Sequence, residues 1–481
     1  MATRWLAAAT DHLRQSKPDY SAAAPLRLWQ IVAIAGVVAA VGAALLAESG
    51  LCQSVLCGLI TLPFLAVTAL RFAALRQSLK AAPARANEPR AADAELPVYT
   101  VLVPLFREAG MVPGLVAALR ALDYPPDRLD IALVLEAVDR DTQDKLRGMS
   151  LPAHIRTVIV PDAEPRTKPK ALNYALRSAR GTYLVIFDAE DRPEPDQLRR
   201  AVARFASTGA DLACLQAHLN IYNPDDTWFT RQFAVEYTVL FDAMLPALER
   251  LRIPLPLGGT SNHFRRAALD AAGGWDPFNV TEDADLGVRL ARLGYRTSVL
   301  ESTTWEEAPA AFMAWLRQRT RWLKGWMQTY LVHTRAPLLT YRQLGPRGFA
   351  GFHLLMGGLI LSALVHPLFY AMLAYWWLLT DASSVAPVSV AQTLWAVSWC
   401  NLALGYLLSM AVGMIAVTRR GRAHLVGATL ALPLYWLLIS AAAYRAILQL
   451  VRSPYLWEKT PHGSATSPVG AGERQTGPNP A

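Results

Sequence analysis

The sequence predicts an α/β domain with a doubly wound, mainly parallel sheet, joined to an α-helical transmembrane bundle. Two observations lead to this prediction. Hydrophobic residues make up 53% of the 481 residues and charged residues only 18%, against roughly 45–50% and about 25% in soluble domains. Between residues 97 and 330, short β-branched runs alternate with segments that carry apolar residues at helical spacing. Part of the chain is therefore expected in lipid and part in water.

The apolar excess is concentrated in five runs, at residues 28–47, 51–70, 351–379, 388–417 and 425–444. The first two are uncharged and about 20 residues long, enough to cross a hydrocarbon core of roughly 30 Å. Lys and Arg flank this pair but are missing from its turn, which places both flanks in the cytoplasm. Pro433 within the last run and Arg445 just after it would allow this run to re-enter the membrane or to end as an interfacial helix instead of crossing. Four to six spans are expected.

The charge balance limits the possible partners. The formal net charge is +9, from 47 Lys and Arg against 38 Asp and Glu. The basic residues are spread over membrane flanks and one predicted helix rather than gathered in a recognition motif, so nucleic acid is not expected as a partner. The four cysteines lie in apolar runs or, for Cys214, in a predicted strand, which is typical of buried small side chains.

Strands and helices alternate through the middle of the chain. Strands are predicted at residues 98–104, 131–135, 157–160, 183–187 and 212–215, with helices at 112–122, 170–179 and 195–205. Several buried strands separated by helices indicate a doubly wound sheet. Ligands of such sheets bind beyond the carboxyl ends of the strands, so the residues that follow each strand are the candidates for chemistry.

One strand end is strongly acidic. Asp188, Glu190 and Asp191 follow the strand 183–187 directly. Carboxylates crowded at the end of a buried strand repel one another, and Mg²⁺ or Mn²⁺ bridging a diphosphate would relieve that repulsion. A solvated turn that caps the next helix is an equally open interpretation. Glu136 ends another strand and could be a helix cap or a ligand contact.

Three further segments carry polar groups that could reach a ligand. Residues 167–173 hold two lysines and an amide that could approach phosphate at a helix N-terminus, or be solvated. Residues 258–264 begin with paired glycines, which permit close backbone approach. In residues 281–286, Thr281 can cap a helix whose first turn holds Glu282 and Asp283. These two carboxylates could simply stabilise the start of the helix, or one of them could be a general base.

Residues 315–326 combine cations with three Trp in one predicted helix. Such a helix just before a membrane span is often an interfacial anchor. It could instead supply Arg to a diphosphate and an aromatic platform to a sugar ring.

In this order and spacing, the motifs resemble those of the membrane-bound family 2 glycosyltransferases, which include cellulose, hyaluronan and chitin synthases. The most specific parts are Asp188-Ala189-Glu190, Thr281-Glu282-Asp283 and Gln318-Arg319-Thr320-Arg321-Trp322. The last fits the QxxRW signature of processive members. The resemblance implies a GT-A catalytic domain between two amino-terminal spans and a carboxy-terminal membrane bundle.

The resemblance also implies roles for individual residues. Asp283 would deprotonate the acceptor hydroxyl, and Asp188 with Glu190 would hold Mg²⁺ or Mn²⁺. The donor and its diphosphate would be bound by Glu136, Lys170, Asn173, Asp188, Gln318, Arg319 and Arg321. The acceptor would be bound by Gly259, Thr260, Ser261, Glu282 and Trp322. Glu190 stands where Asp is commoner in the family, which leaves open whether Glu190 or Asp191 contacts the metal and which nucleotide is preferred.

The resulting domain organisation has seven parts: a cytosolic segment 1–27, a transmembrane hairpin 28–75, a linker 76–96, the catalytic domain 97–308, amphipathic interfacial helices 309–349, a transmembrane region 350–451 and a largely disordered tail 452–481.

The implied activity is inverting, processive transfer from a nucleotide sugar to a β-linked polysaccharide. A UDP-sugar is the favoured donor and GDP-mannose the second, with export across a bacterial inner membrane, a cytoplasmic catalytic domain and possible accessory export subunits. A non-processive glycolipid glycosyltransferase and a catalytically inactive scaffold or nucleotide-sensing subunit are the alternatives.

Overall fold

The computed structural model describes residues 2–24, 26–46, 50–80, 93, 96–379, 390–459 and 463. Most of the predicted linker 76–96 and of the predicted tail 452–481 lies outside these residues. Two predicted features nevertheless fall partly within them: residues 76–80 belong to a helix, and residues 453–459 are placed against the rest of the protein.

The described residues form sixteen α-helices and eight strands. In chain order they are α1 (Ala2–Ser16), α2 (Leu28–Leu46), α3 (Gly50–Lys80), β1 (Tyr99–Leu105), α4 (Val112–Arg120), β2 (Leu129–Glu136), α5 (Arg140–Arg147), β3 (Ile155–Val160), α6 (Lys168–Leu176), β4 (Tyr183–Ile186), β5 (Arg192–Pro193), α7 (Gln197–Ala206), β6 (Leu212–Ile221), α8 (Trp228–Val239), α9 (Leu245–Arg250), β7 (Asn262–Arg265), α10 (Arg266–Ala272), α11 (Glu282–Arg292), β8 (Arg296–Glu306), α12 (Phe312–His333), α13 (Pro337–Phe352), α14 (Gly358–Leu379), α15 (Val390–Arg419) and α16 (Leu432–Arg452).

The strands form one mixed sheet in the order β3-β2-β1-β4-β7-β6-β8-β5. The first four of these are mutually parallel, as are β6 and β8, whereas β7 runs antiparallel to both of its neighbours and β5 to β8. The predicted mainly parallel sheet is confirmed, and each of the five predicted strands is present. The sequence did not predict β5, β7 or β8, because β5 has two residues and the other two are rich in polar side chains.

Alternating side chains of the central strands build a core on each face of the sheet. Tyr99, Val101 and Val103 of β1 pack with α4 and α7, whereas Leu102 packs with α6 and α10 on the opposite face. Because both faces are covered, these strands are buried at nearly every position. The sheet is therefore doubly wound, and the ligand-binding edge lies where its parallel strands end.

Three helical stretches of the described residues are long and apolar enough to cross a bilayer: Pro337–Ala371, Ala396–Arg419 and Ala423–Arg452. These dimensions indicate membrane association. The first predicted run forms α2, whose described apolar part is shorter, at Leu28–Ala44. The second predicted run lies within α3, which continues to Lys80.

The interfacial interpretation of the Trp-rich helix stays a prediction, but much of this helix is buried inside the protein. Trp315, Arg319 and Lys324 of α12 are at most 4% exposed, because the helix lies between the α/β domain and α16. Its Trp315 indole donates to the Tyr435 hydroxyl at 3.0 Å. An interfacial anchor needs an exposed apolar face, and exposed apolar side chains here include Phe312 and Met313 at the start of α12 and Leu338 and Leu339 of the following helix α13.

A buried ion pair within α11 contacts α12 through His333. The Arg289 guanidinium donates to Asp285 Oδ2 at 2.6 Å, and both side chains are fully buried. His333 Nε2 lies 3.0 Å from the other carboxylate oxygen. Burial alone would raise the pKa of Asp285, but Arg289 and His333 outweigh it and hold the pKa below its usual value.

Substituting Asp285→Asn should lower the free energy of unfolding by about 3–5 kcal/mol, because Arg289 would be left buried without a counter-charge. Asp270→Asn is the matched control, since Asp270 pairs with Arg266 at the same spacing but is 53% exposed, and a change of about 1 kcal/mol or less is expected there. Urea unfolding followed by Trp fluorescence measures both. Equal effects of the two substitutions would contradict the role of the buried pair.

Candidate active site

A cavity of about 290 Å³ opens at the carboxyl edge of the parallel strands. The ends of β1 and β2, the turn after β4, the loop before β7, the starts of α6 and α11 and one side of α12 all contribute to its wall. The sequence-predicted residues that line it are Glu136, Asp188, Glu190, Gly259, Thr260, Glu282, Asp283, Gln318, Arg321 and Trp322. The fold therefore brings together predicted residues from five separate parts of the chain.

The acidic turn after β4 divides into cavity-facing and inward-facing carboxylates. Asp188 and Glu190 line the cavity. Asp191 is 1% exposed, and its Oδ2 accepts from the Asp188 backbone N–H at 2.7 Å and from the Thr260 hydroxyl. Burial, together with the negative charge of Asp188, raises the pKa of Glu190 to about 8. Asp191 thus holds the turn, while Glu190 faces the ligand space.

Lys168 is the cation nearest to the acidic turn, although the predicted set contains Lys170 instead. The Lys168 ammonium donates to Asp188 Oδ1 at 2.5 Å and to the Gly259 carbonyl at 2.7 Å. Burial alone would lower its pKa, but the carboxylates of Asp188, Glu282 and Asp283 outweigh that effect and raise the pKa. A charged ammonium therefore occupies the middle of the cavity.

Lys170 and Asn173 lie on the same helix but do not line the cavity. Lys170 is fully buried and pairs with Glu136, Nζ to Oε1, at 3.1 Å. Burial raises the pKa of Glu136, and Lys170 opposes the rise. The Asn173 amide donates to the carbonyls of Ala9 and Trp275 at 3.1 and 2.8 Å, tying α1 to the domain. In this structure, Lys170 acts through Glu136 and Asn173 joins structural elements.

The start of α11 places a carboxylate pair opposite the acidic turn. Asp283 is the more exposed member, and burial raises its pKa. Burial and the charge of Asp283 raise the pKa of Glu282 to about 8. A Cβ on Gly259 would come within 3.3 Å of Asp283 Oδ2, so the glycine loop closely borders this carboxylate. Of the predicted loop residues, Ser261 turns away and donates its hydroxyl to Thr304 at 2.7 Å.

Arg319 supports Trp322 from behind rather than lining the cavity. Its guanidinium donates to Glu236 at 2.7 Å and lies 4.5 Å from the centre of the Trp322 ring. Trp322 also stacks on Tyr237, with ring centres 6.3 Å apart. The exposed side of the indole is therefore presented to the cavity by a fixed cation and a second aromatic ring.

Gly325 allows α12 to approach the start of α11 closely. A Cβ at this position would lie 2.3 Å from Thr281 Oγ1 and 2.7 Å from its backbone nitrogen. Because Gly325 is one turn beyond Trp322, this contact sets the distance from Trp322 to Asp283. No larger residue fits without moving one helix.

The segment Ser453–Lys459, which follows α16, forms one wall of the cavity. Lys324 donates to the Leu456 carbonyl at 2.8 Å, and Arg445 pairs with Glu458 at 2.6 Å. Trp457 and Lys459 line the cavity, and the Arg321 guanidinium lies 4.7 Å from the centre of the Trp457 ring. This part of the predicted disordered tail is instead bound in place.

Sequence reasoning missed several other residues that line the cavity: Lys168, Tyr237, Glu306, Glu307, Trp457 and Lys459. Glu306 ends β8, as Glu136 ends β2, and Glu307 follows it, so the strand-end rule finds both once β8 is recognised. Lys168 stands two residues before Lys170, and the sequence offered no signal to choose between them. Trp457 and Lys459 follow an apolar run, and only the three-dimensional structure shows that the chain returns from this run to the α/β domain.

Two carboxylates at the cavity suit a divalent ion that completes its coordination elsewhere. Within the described ranges, no three His, Cys, Asp or Glu side chains converge as a ready-made metal site. Mg²⁺ and similar ions commonly use one or two carboxylates and take their remaining ligands from substrate phosphates and water. The hard oxygen donors of Asp188 and Glu190 fit that mode of binding.

Comparison with known proteins gives consistent matches. Residues 97–325 match the family model described as glycosyltransferase like family 2. The chain is 31% identical over 279 residues to the beta-monoglucosyldiacylglycerol synthase of a Synechocystis species, covering 56% of each chain. It is 30% identical over 240 residues to glucomannan 4-beta-mannosyltransferase 2 of Arabidopsis thaliana, covering 48% of this chain and 44% of that protein. The chain thus spans about half the length of these relatives.

Among solved structures, the mannosyltransferase PcManGT from Pyrobaculum calidifontis, in complex with GDP-Man and Mn²⁺, aligns with a TM-score of 0.49 at 20% identity. The alignment covers 82% of this chain and 99% of that chain.

Substituting Gly325→Ala should lower the free energy of unfolding by about 1–3 kcal/mol, because the added methyl group overlaps Thr281. Gly114→Ala is the matched control: it also lies within a helix, and a Cβ there meets nothing within 4 Å. The control should be neutral or slightly stabilising, since Ala favours helix. Thermal unfolding compares the two, and a stable Gly325→Ala protein would contradict the close contact.

Proposed function

We propose that residues 97–325, which match the model described as glycosyltransferase like family 2, form a glycosyltransferase domain of the GT-A type and that the protein is an inverting, processive enzyme. It transfers a sugar from a nucleotide-sugar donor to a growing β-linked polysaccharide. The observation that carries the proposal is the convergence of Asp188, Glu190, Asp283, Arg321 and Trp322 on one cavity. These residues supply charge neutralisation, a base and a sugar platform.

The donor would bind along the carboxyl ends of β1, β2 and β4. Asp188 and Glu190 would hold Mg²⁺ or Mn²⁺, and the bound ion would stabilise negative charge on the departing diphosphate. Arg321 and Lys459 line the same cavity and add positive charge. Glu136, oriented by Lys170, would contact the nucleoside.

Asp283 is the proposed general base. The acceptor hydroxyl oxygen would form a bond to the anomeric carbon while the carbon–oxygen bond to the diphosphate breaks, with inversion. The hydroxyl proton passes to the Asp283 carboxylate. The raised pKa of Asp283 brings its basicity closer to what proton abstraction near neutral pH requires. Trp322 would stack on the acceptor sugar beside it.

A UDP-sugar is the donor that we propose first, with GDP-mannose second. One of the relatives is named for a glucosyl product and another for a mannosyltransferase activity. We further propose a cytoplasmic catalytic domain at a bacterial inner membrane. Product would leave through the membrane bundle, with accessory export subunits as candidate partners. Purified protein in vesicles, given a panel of nucleotide sugars with Mg²⁺ or Mn²⁺, identifies the donor by release of nucleoside diphosphate.

A glycolipid product is the second candidate function. The relative from Synechocystis is named for a glycolipid synthase and matches this chain at 31% identity. The QxxRW residues and the stacked Trp322 favour a polymer instead, because a platform beside the base can hold a sugar chain between additions. Product length separates the two.

Asp283→Asn should abolish sugar transfer in vesicles while leaving nucleotide binding in place, because the amide cannot accept the acceptor proton. In the wild type, kcat/KM should rise with pH as Asp283 ionises, with an acid limb above the ordinary Asp value of about 3.9. Asp270→Asn, on an exposed helix face, serves as the control and should transfer normally. Full activity of Asp283→Asn, or an acid limb at or below pH 4, would refute Asp283 as the base.

Trp322→Ala should shorten the product and reduce its yield by about tenfold or more, since base or sugar stacking on an aromatic ring is worth roughly 1–3 kcal/mol. Trp322→Phe keeps an aromatic face and should retain most of the product length. Gel electrophoresis of radiolabelled product reports length, and thin-layer chromatography reports glycolipid. A single-sugar lipid product from the wild type would replace the polymer proposal with the glycolipid alternative.

A further inference from the structure

Lys168 occupies the position beside Asp188 that a metal ion would have to enter. Its ammonium is 2.5 Å from Asp188 Oδ1, a distance at which the carboxylate is already neutralised by a charge-assisted hydrogen bond. The same nitrogen donates to the Gly259 carbonyl at 2.7 Å. A divalent ion that binds Asp188 Oδ1 must therefore displace a cation that has two partners.

The backbone at Lys168 is held in place, whereas its side chain can leave Asp188. Lys168 is the first residue of α6 and precedes Pro169. The Thr167 hydroxyl just before it donates to the Pro277 carbonyl at 3.1 Å. The Lys168 side chain is 15% exposed, so it remains accessible from the cavity. It can thus be displaced without unfolding the helix.

The neighbouring Lys170 cannot take over this role. It is fully buried, pairs with Glu136 and donates to the Ala163 carbonyl at 2.9 Å. The two lysines therefore serve different carboxylates, one at the nucleoside end of the cavity and one at the diphosphate end.

The remaining metal ligands are also incomplete without donor. Asp191 is held by Thr260 and the Asp188 amide, and within the described residues no third His, Cys, Asp or Glu joins Asp188 and Glu190 as a metal site. Phosphate oxygens of a nucleoside diphosphate would supply the missing ligands and would offer the displaced Lys168 ammonium a new anionic partner.

We propose that Lys168 keeps divalent metal from Asp188 in the donor-free enzyme, so that metal and nucleotide diphosphate enter the cavity together. The inference rests on the proposed function, since it takes Asp188 as a metal ligand and a nucleotide sugar as the donor. Lys168 is a positioning residue in this scheme, and its effect is on metal affinity rather than on the chemical step.

Mn²⁺ binding to the purified full-length protein in detergent tests the proposal without measuring transfer. The electron paramagnetic resonance signal of free hydrated Mn²⁺ reports how much ion the protein binds in the absence of nucleotide. Lys168→Met and Lys168→Gln should bind Mn²⁺ at least about tenfold more tightly than the wild type, as expected for a coupling of typical size. Lys168→Arg keeps the cation and should bind Mn²⁺ as weakly as the wild type.

Two controls identify the site. Lys145→Met removes a positive charge from the exposed surface of α5 and should leave Mn²⁺ affinity unchanged. The double variant Asp188→Asn with Lys168→Met should lose the gain, because the released carboxylate is then gone. Thermal unfolding of each variant establishes that it is folded before titration.

Nucleotide binding supplies the second measurement. Equilibrium dialysis with labelled UDP or GDP should show wild-type binding at least about tenfold tighter with Mn²⁺ than with a chelator. If the wild type binds Mn²⁺ alone as tightly as Lys168→Met does, the inference is wrong while the proposed function stands. If neither nucleotide binds in the presence of Mn²⁺, the proposed function fails together with it.

Discussion

The arrangement of the cavity depends on one carboxylate, Glu236 of α8. It accepts from Arg319 of α12 at 2.7 Å and from the Tyr435 hydroxyl of α16 at 2.7 Å. Three helices, α8, α12 and α16, therefore meet at a single anion. Arg319 in turn supports Trp322. Without Glu236, a buried guanidinium would lack its counter-charge, which is costly in a site of low polarity.

Much of the architecture and of the site follows from the sequence, since buried parallel strands read as apolar runs and their ends carry the polar groups. The cavity-facing acids Asp188 and Glu190 were found by that rule, whereas Asp283 was found at the start of a predicted helix. Polar strands are not recognised by this rule. β7 and β8 are buried because they pair with other strands, which local composition does not encode, and Glu306 was missed together with β8. Asn173 is the opposite case: it was predicted to bind the donor, but its amide donates to backbone carbonyls.

The cavity holds an excess of negative charge that its few cations partly offset. Carboxylates at strand ends and at one helix start face Arg166, Lys168, Arg321 and Lys459. Burial is the main cause of the raised pKa values of Glu190 and Glu282, and the neighbouring carboxylates add to it, because each added anion makes ionisation of its neighbours less favourable. A ligand that brings a divalent cation with it reduces this repulsion, whereas a bare anion increases it. The chain as a whole is basic, but this cavity is locally acidic.

The position of Trp457 and Lys459 has a consequence for the order in which the active site is completed during synthesis. Domains generally fold as units from the amino terminus while the chain is being made, so residues 97–308 emerge well before α16. The wall formed by Ser453–Lys459 is anchored through Arg445 of α16 and Lys324 of α12, so it can close only after α16 has packed against α12. Residues 97–308 that have emerged and folded before α16 is made therefore lack one wall of the cavity.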